Sequence, residues 1–267
     1  MEERLMKVQN NAKRKATEDI SIRPSKIMNM VMRDAVLSAT TQDLSNIRDS
    51  IYRSRRKLLP PLPKNLDDVF DALATIEIKT SINEDFLLSL NKELGIVIFS
   101  CEKNLQFLCS ETKFFCDGTF NYCTKFFTQL FTIHVVRNGH YVPLVFALIK
   151  NKKTEAYEQV FRTVISACDS KNLTLNPSEI VCDFEEAIHK ASRNVWPQLK
   201  ITGCRFHISQ AWLRKIQNIG LKREYSDKDS ELGKWLRWSF GLIYLDSTDV
   251  SECFVEELIA EAPTIPV

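Results

Sequence analysis

Glycine is scarce in this chain. There are seven glycines among 267 residues, and no two of them are spaced as G-x-G. The Gly-rich fingerprints of dinucleotide-binding and P-loop proteins are therefore absent. No uninterrupted apolar run approaches the ~20 residues that a membrane-spanning helix needs, and the first fifteen residues are charged where a signal peptide would be apolar. We therefore expect a globular α/β protein with no membrane partner and no small-molecule substrate.

Cysteine is present, but not in the pattern of a disulfide framework. No C-x-x-C occurs, and most of the eight cysteines lie inside apolar stretches. In a chain without a secretory signal, this pattern favours buried, reduced thiols in a reducing compartment.

The small net charge of +2 hides an uneven distribution. Residues 1–65 contain 14 basic and 7 acidic side chains, which leaves 22 basic and 27 acidic residues for the rest of the chain. A basic leading segment on an acidic body suggests a nucleic-acid partner, although a solvated helical face would look the same. The densest cluster could contact phosphate, act as a nuclear address or simply end a helix; it comprises Arg53, Arg55, Arg56 and Lys57.

The chain divides into five segments by composition and period. Residues 1–22 are polar without a clear period, and we expect a flexible lead there. Two amphipathic runs, divided near Thr41 and Asp43, fill residues 23–64 up to a proline-rich linker. A connecting helix and strands, one of them over Leu105–Leu108, follow in 65–112. An α/β core occupies 113–220, and residues 221–267 show only helical patterns.

The core segment predicts the order β-β-β-α-β-α-β. Two runs rich in β-branched and aromatic residues flank Asn138-Gly139, which is a two-residue hairpin signal. The later strands alternate with amphipathic helices, which indicates a mixed sheet with a helical segment at each end of the chain.

Two aspartates interrupt apolar strands of this core. Asp117 and Asp183 each end a hydrophobic run, and a carboxylate there must be paired, hydrogen-bonded or bound to a metal. On neighbouring strands they could share a divalent ion such as Mg²⁺, which prefers hard oxygen ligands. Each could instead be a turn former, since Asp117 precedes a glycine and Asp183 precedes a predicted helix.

Several strings in this core resemble the transposase domain of Mutator-like elements (MULE), which is often linked to FLYWCH-type zinc modules. The matching strings, in order, are CDGTF (116–120), FTQLFTIH (127–134), VPLVFAL (142–148), DFEEA (183–187) and GCRFHISQAW (203–212). The resemblance implies a ribonuclease-H-like fold and a DDE site in which Asp117 and Asp183 are the first two acids. They would hold Mg²⁺ or Mn²⁺ ions for cleavage and strand transfer of DNA in the nucleus.

The third acid that the resemblance implies is not evident. In relatives it follows a helical insertion, and the late candidates here resemble the solvated face of a helix: Glu252, Glu256, Glu257 and Glu261. We therefore expect 221–267 to be an incomplete insertion, and the chain to be either an incomplete or domesticated transposase or a catalytically inactive DNA-binding or protein-interaction module. A decayed product without function is a third alternative, and a homo-oligomer is left open.

A C-x-x-H motif follows the second acid, as in the family. Cys204 and His207 could bind zinc with Cys182 and His189, but a buried thiol and a hydrogen-bonded histidine are the favoured interpretation. Basic residues beside this motif could touch DNA phosphate or lie on solvated helix faces: Arg205, Arg214 and Lys215. His134, in a predicted strand, is expected to be a core or sheet-face histidine.

Overall fold

The computed structural model describes residues 2–35, 39–119 and 123–263. By contacts between Cα atoms, the chain forms two compact units: one of residues 1–106, 119–130 and 145–151, the other of residues 107–118, 131–144 and 152–267. Within the described ranges, no helix has both the length and the apolar character that crossing a membrane requires. Phe120 of the CDGTF string lies outside the described residues.

The first unit begins with three packed helices, α1 (Glu2–Glu18), α2 (Pro24–Ala35) and α3 (Thr41–Arg56). Helix α1 occupies the segment where the sequence pattern predicted a flexible lead. Its buried stripe is Val8, Ala12 and Ala16, spaced four residues apart and packed in one cluster with residues of α2 and α3. The stripe consists mostly of small side chains, which is why a search for large apolar residues misses it.

Helix starts follow the capping residues closely. Thr40 caps α3, and its hydroxyl accepts the backbone N–H of Asp43 while the Asp43 carboxylate accepts the Thr40 N–H. This reciprocal pair is a capping box. Asn65 caps α4 (Leu66–Thr75), because its side-chain oxygen accepts the backbone N–H of Asp68 at 2.8 Å.

Seven strands form one mixed sheet in the order β1-β2-β5-β4-β3-β6-β7. The β1–β2 and β2–β5 pairs are antiparallel, whereas β3–β6 and β6–β7 are parallel. The strands are β1 (Leu87–Asn91), β2 (Ile96–Phe99), β3 (Lys113–Thr119), β4 (Gln129–Arg137), β5 (His140–Ile149), β6 (Glu179–Cys182) and β7 (Lys200–Gly203).

Two predictions before residue 113 differ from the structure. The strand predicted over Leu105–Leu108 is wrong, because these residues belong to helix α5 (Glu102–Cys109). Leu105 and Leu108 are both buried at a spacing of three residues, which suits a helix, and a run of four residues does not separate the two possibilities. Strand β1 was not predicted; all five of its residues are only half-buried.

The predicted order β-β-β-α-β-α-β is confirmed from β3 to β7. Helices α6 (Thr154–Asp169) and α7 (Glu186–Val195) separate the last three strands. Asn138 and Gly139 join β4 to β5 with φ of +52° and +76°, the left-handed pair that a type I′ hairpin requires. The mixed sheet with helices at both ends is consistent with the ribonuclease-H-like fold.

The core of the second unit forms around the buried face of α6. Tyr157 and Phe161 are buried on that face, and both rings meet Phe131 of β4 edge-on, with centroids 5.1 and 6.0 Å away. The Phe161 ring also lies 5.2 Å from Trp196, just after α7. These aromatic contacts hold the helices that precede β6 and β7 against the sheet.

The chain after β7 is helical, as expected. It forms α8 (Arg205–Asn218), α9 (Lys222–Ser226), α10 (Glu231–Ser239), a 3₁₀ segment (Phe240–Tyr244) and α11 (Val250–Glu252). The short α11 is followed by a π-helical segment, Cys253–Leu258. The indole N–H of Trp235 donates to the Leu258 carbonyl at 2.6 Å, which ties α10 to this last segment.

Candidate active site

The two aspartates lie at the carboxyl ends of neighbouring parallel strands. The β3–β6 register pairs Lys113 with Glu179 and Phe115 with Val181, a constant separation of 66 residues. Continued by two residues, the same register aligns Asp117 with Asp183. Asp117 lies near the carboxyl end of β3 and Asp183 directly follows β6, so both residues lie at the same edge of the sheet. The carboxyl ends of parallel strands are where ligands bind in open α/β sheets.

Asp117 is more accessible than its apolar surroundings suggested. Its side chain is 47% exposed, so it is not the buried carboxylate that the sequence argument assumed. Its backbone carbonyl accepts a hydrogen bond from the Thr132 hydroxyl of β4 at 3.2 Å. The strand is thus fixed to its neighbour at this residue while the carboxylate faces the solvent side, where a cation or a phosphate can reach it.

Asp183 is held in place by the chain that follows it. One carboxylate oxygen accepts the Glu185 backbone N–H at 2.8 Å, and the Asp183 carbonyl lies 2.8 Å from Nε2 of His189. The turn-forming role that the sequence also allowed is therefore present. The hydrogen bond from the Glu185 N–H orients the Asp183 carboxylate just before α7 and uses one of its two oxygens.

His207 approaches Asp117 from the first turn of α8. Its Nε2 atom is 3.6 Å from a carboxylate oxygen of Asp117, which is close contact but longer than a hydrogen bond. Its Nδ1 atom is buried with no hydrogen-bond partner in the structure. The helix is brought there by the Cys204 backbone N–H, which donates to the Cys182 carbonyl at 2.6 Å. The sequence favoured a hydrogen-bonded histidine over a zinc ligand at this position, but it did not indicate that Asp117 is the neighbour.

His134 is a second histidine close to the first acid. Its Nε2 lies 2.7 Å from the Thr132 hydroxyl that binds the Asp117 carbonyl. Burial lowers the pKa of His134, and the negative charge of Asp117 acts in the opposite direction. The prediction of a sheet-face histidine is correct for its position, but only the fold shows that it neighbours Asp117.

The cysteines that directly precede the two aspartates, Cys116 and Cys182, are both buried. Burial raises the pKa of Cys116 well above its usual value, and it raises the pKa of Cys182 to about 12 with help from Asp183 and Cys204. The Cys204-x-x-His207 motif connects β7, α8 and Asp117, through the Cys204 backbone N–H on the Cys182 carbonyl and the His207 ring beside the Asp117 carboxylate.

A complete metal-binding group is not formed by the part of the chain that the structure describes. In residues 2–35, 39–119 and 123–263, no three His, Cys, Asp or Glu side chains are arranged to hold a metal ion, magnesium or zinc. Asp117 and Asp183 supply two carboxylates, the ligand type that a hard cation prefers. The late glutamates do not complete the set: Glu252, Glu256, Glu257 and Glu261 are exposed, and Glu257 accepts from the thiol of Cys253 at 3.6 Å.

The predicted DNA-contacting residues are partly engaged within the protein. Arg55 donates to the backbone carbonyls of Ala16, Asp19 and Ile22 at 3.1, 3.2 and 2.6 Å, so it holds the end of α1 and the following turn. Arg56 donates to the Pro60 carbonyl at 2.5 Å, whereas Arg53 and Lys57 are exposed. In the other unit, Arg205 donates to the Tyr244 hydroxyl, Arg214 to Gln210, and Lys215 is exposed.

An open cavity beside the second acid was not anticipated from the sequence. It has a volume of about 570 Å³ and lies where α6 and α7 begin. Its charges balance, because three lysines and three glutamates line it: Lys152, Lys153, Lys190, Glu155, Glu185 and Glu186.

Comparison with known protein families supports the resemblance. Residues 114–211, which run from β3 to the first half of α8, match the model of the MULE transposase domain. The matched segment contains Asp117, Asp183, Cys204 and His207, and it supports a transposase-related function. No significant match was found among curated proteins or among solved structures.

Proposed function

We propose that residues 113–220 form a DDE-type transposase core that binds DNA and cleaves and transfers phosphodiester strands with Mg²⁺ or Mn²⁺. The observation that carries the proposal is the parallel β3–β6 register, which pairs Phe115 with Val181, each two residues before one of the aspartates. Both aspartates lie inside the segment that matches the MULE transposase domain.

The residues of the edge have distinct tasks in this proposal. Asp117 and Asp183 hold the metal, and a bound divalent ion would activate the attacking water or 3′-hydroxyl and stabilise the charge on phosphate. The Glu185 N–H keeps the Asp183 carboxylate in one orientation. The His207 ring lies 3.6 Å from a carboxylate oxygen of Asp117 and limits the positions that this carboxylate can adopt.

A catalytically inactive DNA-binding or interaction module is the second candidate. The specific observation that favours it is the incomplete ligand set, since no third metal-binding side chain joins the two aspartates among the described residues. In that case Asp117 and Asp183 would be dispensable for DNA binding, whereas the basic residues would remain necessary.

A plasmid-nicking assay with Mn²⁺ and Mg²⁺ separates the two. Wild type is compared with Asp117→Asn and Asp183→Asn, which keep the side-chain shape and remove the charge, and with Asp246→Asn, an exposed carboxylate in the helical region, as a matched control. An active core requires nicking by wild type and the control, with loss in both site variants. Equal nicking by all four proteins would refute the assigned roles. DNA binding without nicking by wild type would establish the inactive module.

Salt dependence tests the nucleic-acid partner independently. Each phosphate contact contributes about −0.9 to the slope of log K against log salt concentration. Replacing Arg53 and Lys57 by alanine should flatten this slope and leave the fold intact, because both side chains are exposed. An unchanged slope would remove the basic cluster from the DNA interface.

We also predict nuclear localisation, with the basic cluster at 53–57 as its address. A fluorescent fusion of the full chain carrying the same two alanines should lose nuclear accumulation. Sedimentation analysis of the full chain tests self-association, which the sequence left open.

A further inference from the structure

Two cysteines outside the candidate site face each other. Cys109 is the last residue of α5, and Cys168 lies one residue before the end of α6. The thiol of Cys109 donates to the sulfur of Cys168 with an Sγ–Sγ distance of 3.5 Å, although the two residues are 59 positions apart. Both belong to the second compact unit.

Their environments differ in a way that assigns different chemical tasks. Cys168 is fully buried, and burial together with the Cys109 contact raises its pKa to about 12. Burial raises the pKa of Cys109 as well, while its hydrogen bond to Cys168 acts in the opposite direction, but Cys109 is only partly buried, so an oxidant reaches it first. Peroxides react with an accessible thiolate, and a second thiol nearby can then resolve the sulfenic acid.

The local backbone allows the sulfurs to close. A disulfide has an S–S length of about 2.0 Å, so the sulfurs must approach by roughly 1.5 Å. Cys109 ends its helix, and the chain turns there because the Ser110 N–H donates to the Phe107 carbonyl at 3.1 Å. A helix end can shift by this amount more easily than a helix interior, where the backbone hydrogen bonds are complete on both sides.

We propose that Cys109 and Cys168 form a reversible, peroxide-sensitive disulfide. The Cys109 thiolate attacks the peroxide, its sulfur is oxidised to sulfenic acid, and the O–O bond breaks with release of water or an alcohol. The Cys168 sulfur then attacks the Cys109 sulfur; the S–S bond forms, and the Cys168 proton leaves with the sulfenic oxygen as a second water. Two thiols are oxidised, and one peroxide is reduced.

The bond would link two helices that each lead into a strand of the site edge. Helix α5 precedes β3, which carries Asp117, and α6 precedes β6, which ends next to Asp183. The oxidised protein should therefore unfold at a higher temperature than the reduced protein, because the bond closes a long loop in the unfolded chain. This inference does not depend on the proposed DNA chemistry.

Peptide mapping of the full-length native protein tests it directly. The reduced protein is treated with hydrogen peroxide, its free thiols are alkylated, and it is then denatured and digested with trypsin without reduction. Cleavage after lysine and arginine gives Asn104–Lys113 and Thr163–Lys171, each with a single cysteine. We expect these two peptides joined as the main cross-linked species, lighter than their sum by two hydrogen atoms and separated again by dithiothreitol.

Variants establish the order of events. Cys109→Ser should abolish the link, Cys168→Ala should leave a Cys109 sulfenic acid that dimedone traps, and Cys253→Ser, a control in the π-helical segment, should leave the link unchanged. Circular dichroism confirms the fold of each variant, and the wild-type map does not depend on any of them. Pairing of Cys109 with another cysteine would overturn the proposal. So would oxidation of Cys253 at peroxide concentrations that leave Cys109 reduced.

Discussion

The substitution Tyr157→Phe removes the hydrogen bond between the α6 hydroxyl of Tyr157 and Glu185, the residue just before α7. The buried hydroxyl of Tyr157 donates to a carboxylate oxygen of Glu185 at 2.7 Å, and the other oxygen of Glu185 pairs with Lys152. The phenylalanine ring can keep the edge contact with Phe131, because only the hydroxyl is lost.

The expected cost follows from the burial of both partners. Hydrogen bonds to charged groups contribute about 1.5–3 kcal/mol, and an unpaired buried partner accounts for most of the loss. The Glu185 side chain is 17% exposed and keeps Lys152, so water and lysine compensate in part. We therefore expect the free energy of unfolding to fall by about 1.5 kcal/mol, at the lower end of that range.

Urea unfolding followed by tryptophan fluorescence measures this change. All four tryptophans lie between residues 196 and 238, in the same compact unit as Tyr157. Tyr141→Phe is the matched control, because Tyr141 is 65% exposed. Its effect should stay within about 0.5 kcal/mol.

Making the same substitution in a Glu185→Ala variant tests whether the energy belongs to this hydrogen bond. In Glu185→Ala, the Tyr157 hydroxyl no longer has the Glu185 carboxylate as its acceptor, so adding Tyr157→Phe should cost less than it does in wild type. A cost in that background equal to the cost in wild type would refute the assignment of the energy to this bond. So would a wild-type cost below about 0.5 kcal/mol.

Three further predictions concern other parts of the molecule. Arg55→Lys should destabilise the helical segment by about 1–2 kcal/mol, because an ammonium cannot replace a guanidinium fork on three carbonyls; faster amide hydrogen exchange at residues 16–22 would show it. Gly233→Ala should cost about 1–3 kcal/mol in urea unfolding, because the added Cβ meets the Glu224 carbonyl. Thr202→Val should raise the pKa of Glu179, which the Thr202 hydroxyl chiefly lowers. The stability from Glu179 is present at neutral pH and is lost as pH falls through its folded pKa. The variant should therefore lose it at a higher pH, as carboxyl NMR titration and acid unfolding would record.

Each of these has a comparison that can contradict it. Arg53→Lys should leave exchange at residues 16–22 unchanged, and an equal effect of the two substitutions would contradict the role of Arg55. Gly241→Ala should be nearly neutral because no atom lies within 4 Å of its added Cβ. For Thr202→Val, a Glu179 pKa equal to that of wild type would show that another group lowers it.

Much of the fold follows from local patterns in the sequence. The Asn138-Gly139 hairpin, the Asn65 cap and the alternation of strands and helices after residue 113 each depend on neighbouring residues alone. Helix α1 was missed because its buried stripe consists mostly of alanines, which contribute little to a search for large apolar residues. Helix α5 was taken for a strand because two leucines three residues apart are consistent with either form until burial is known.

The two aspartates of the candidate site can be predicted from the sequence, whereas the histidines near Asp117 depend on tertiary packing. Two acids that each follow an apolar run come to the same sheet edge when the two strands are parallel neighbours. Strands β3 and β6 are such neighbours. The positions of His207 and His134 depend on the path of α8 and on the strand placed beside β3, and no local period specifies either. The same reason applies to a third ligand, because a glutamate after a helical segment could reach a metal ion only if that segment packs against the site. The glutamates of 252–261 are exposed. If wild type does not nick DNA, gaining activity would require a carboxylate carried by an element packed against β3 or β6, and substitutions within 252–261 alone should not produce nicking.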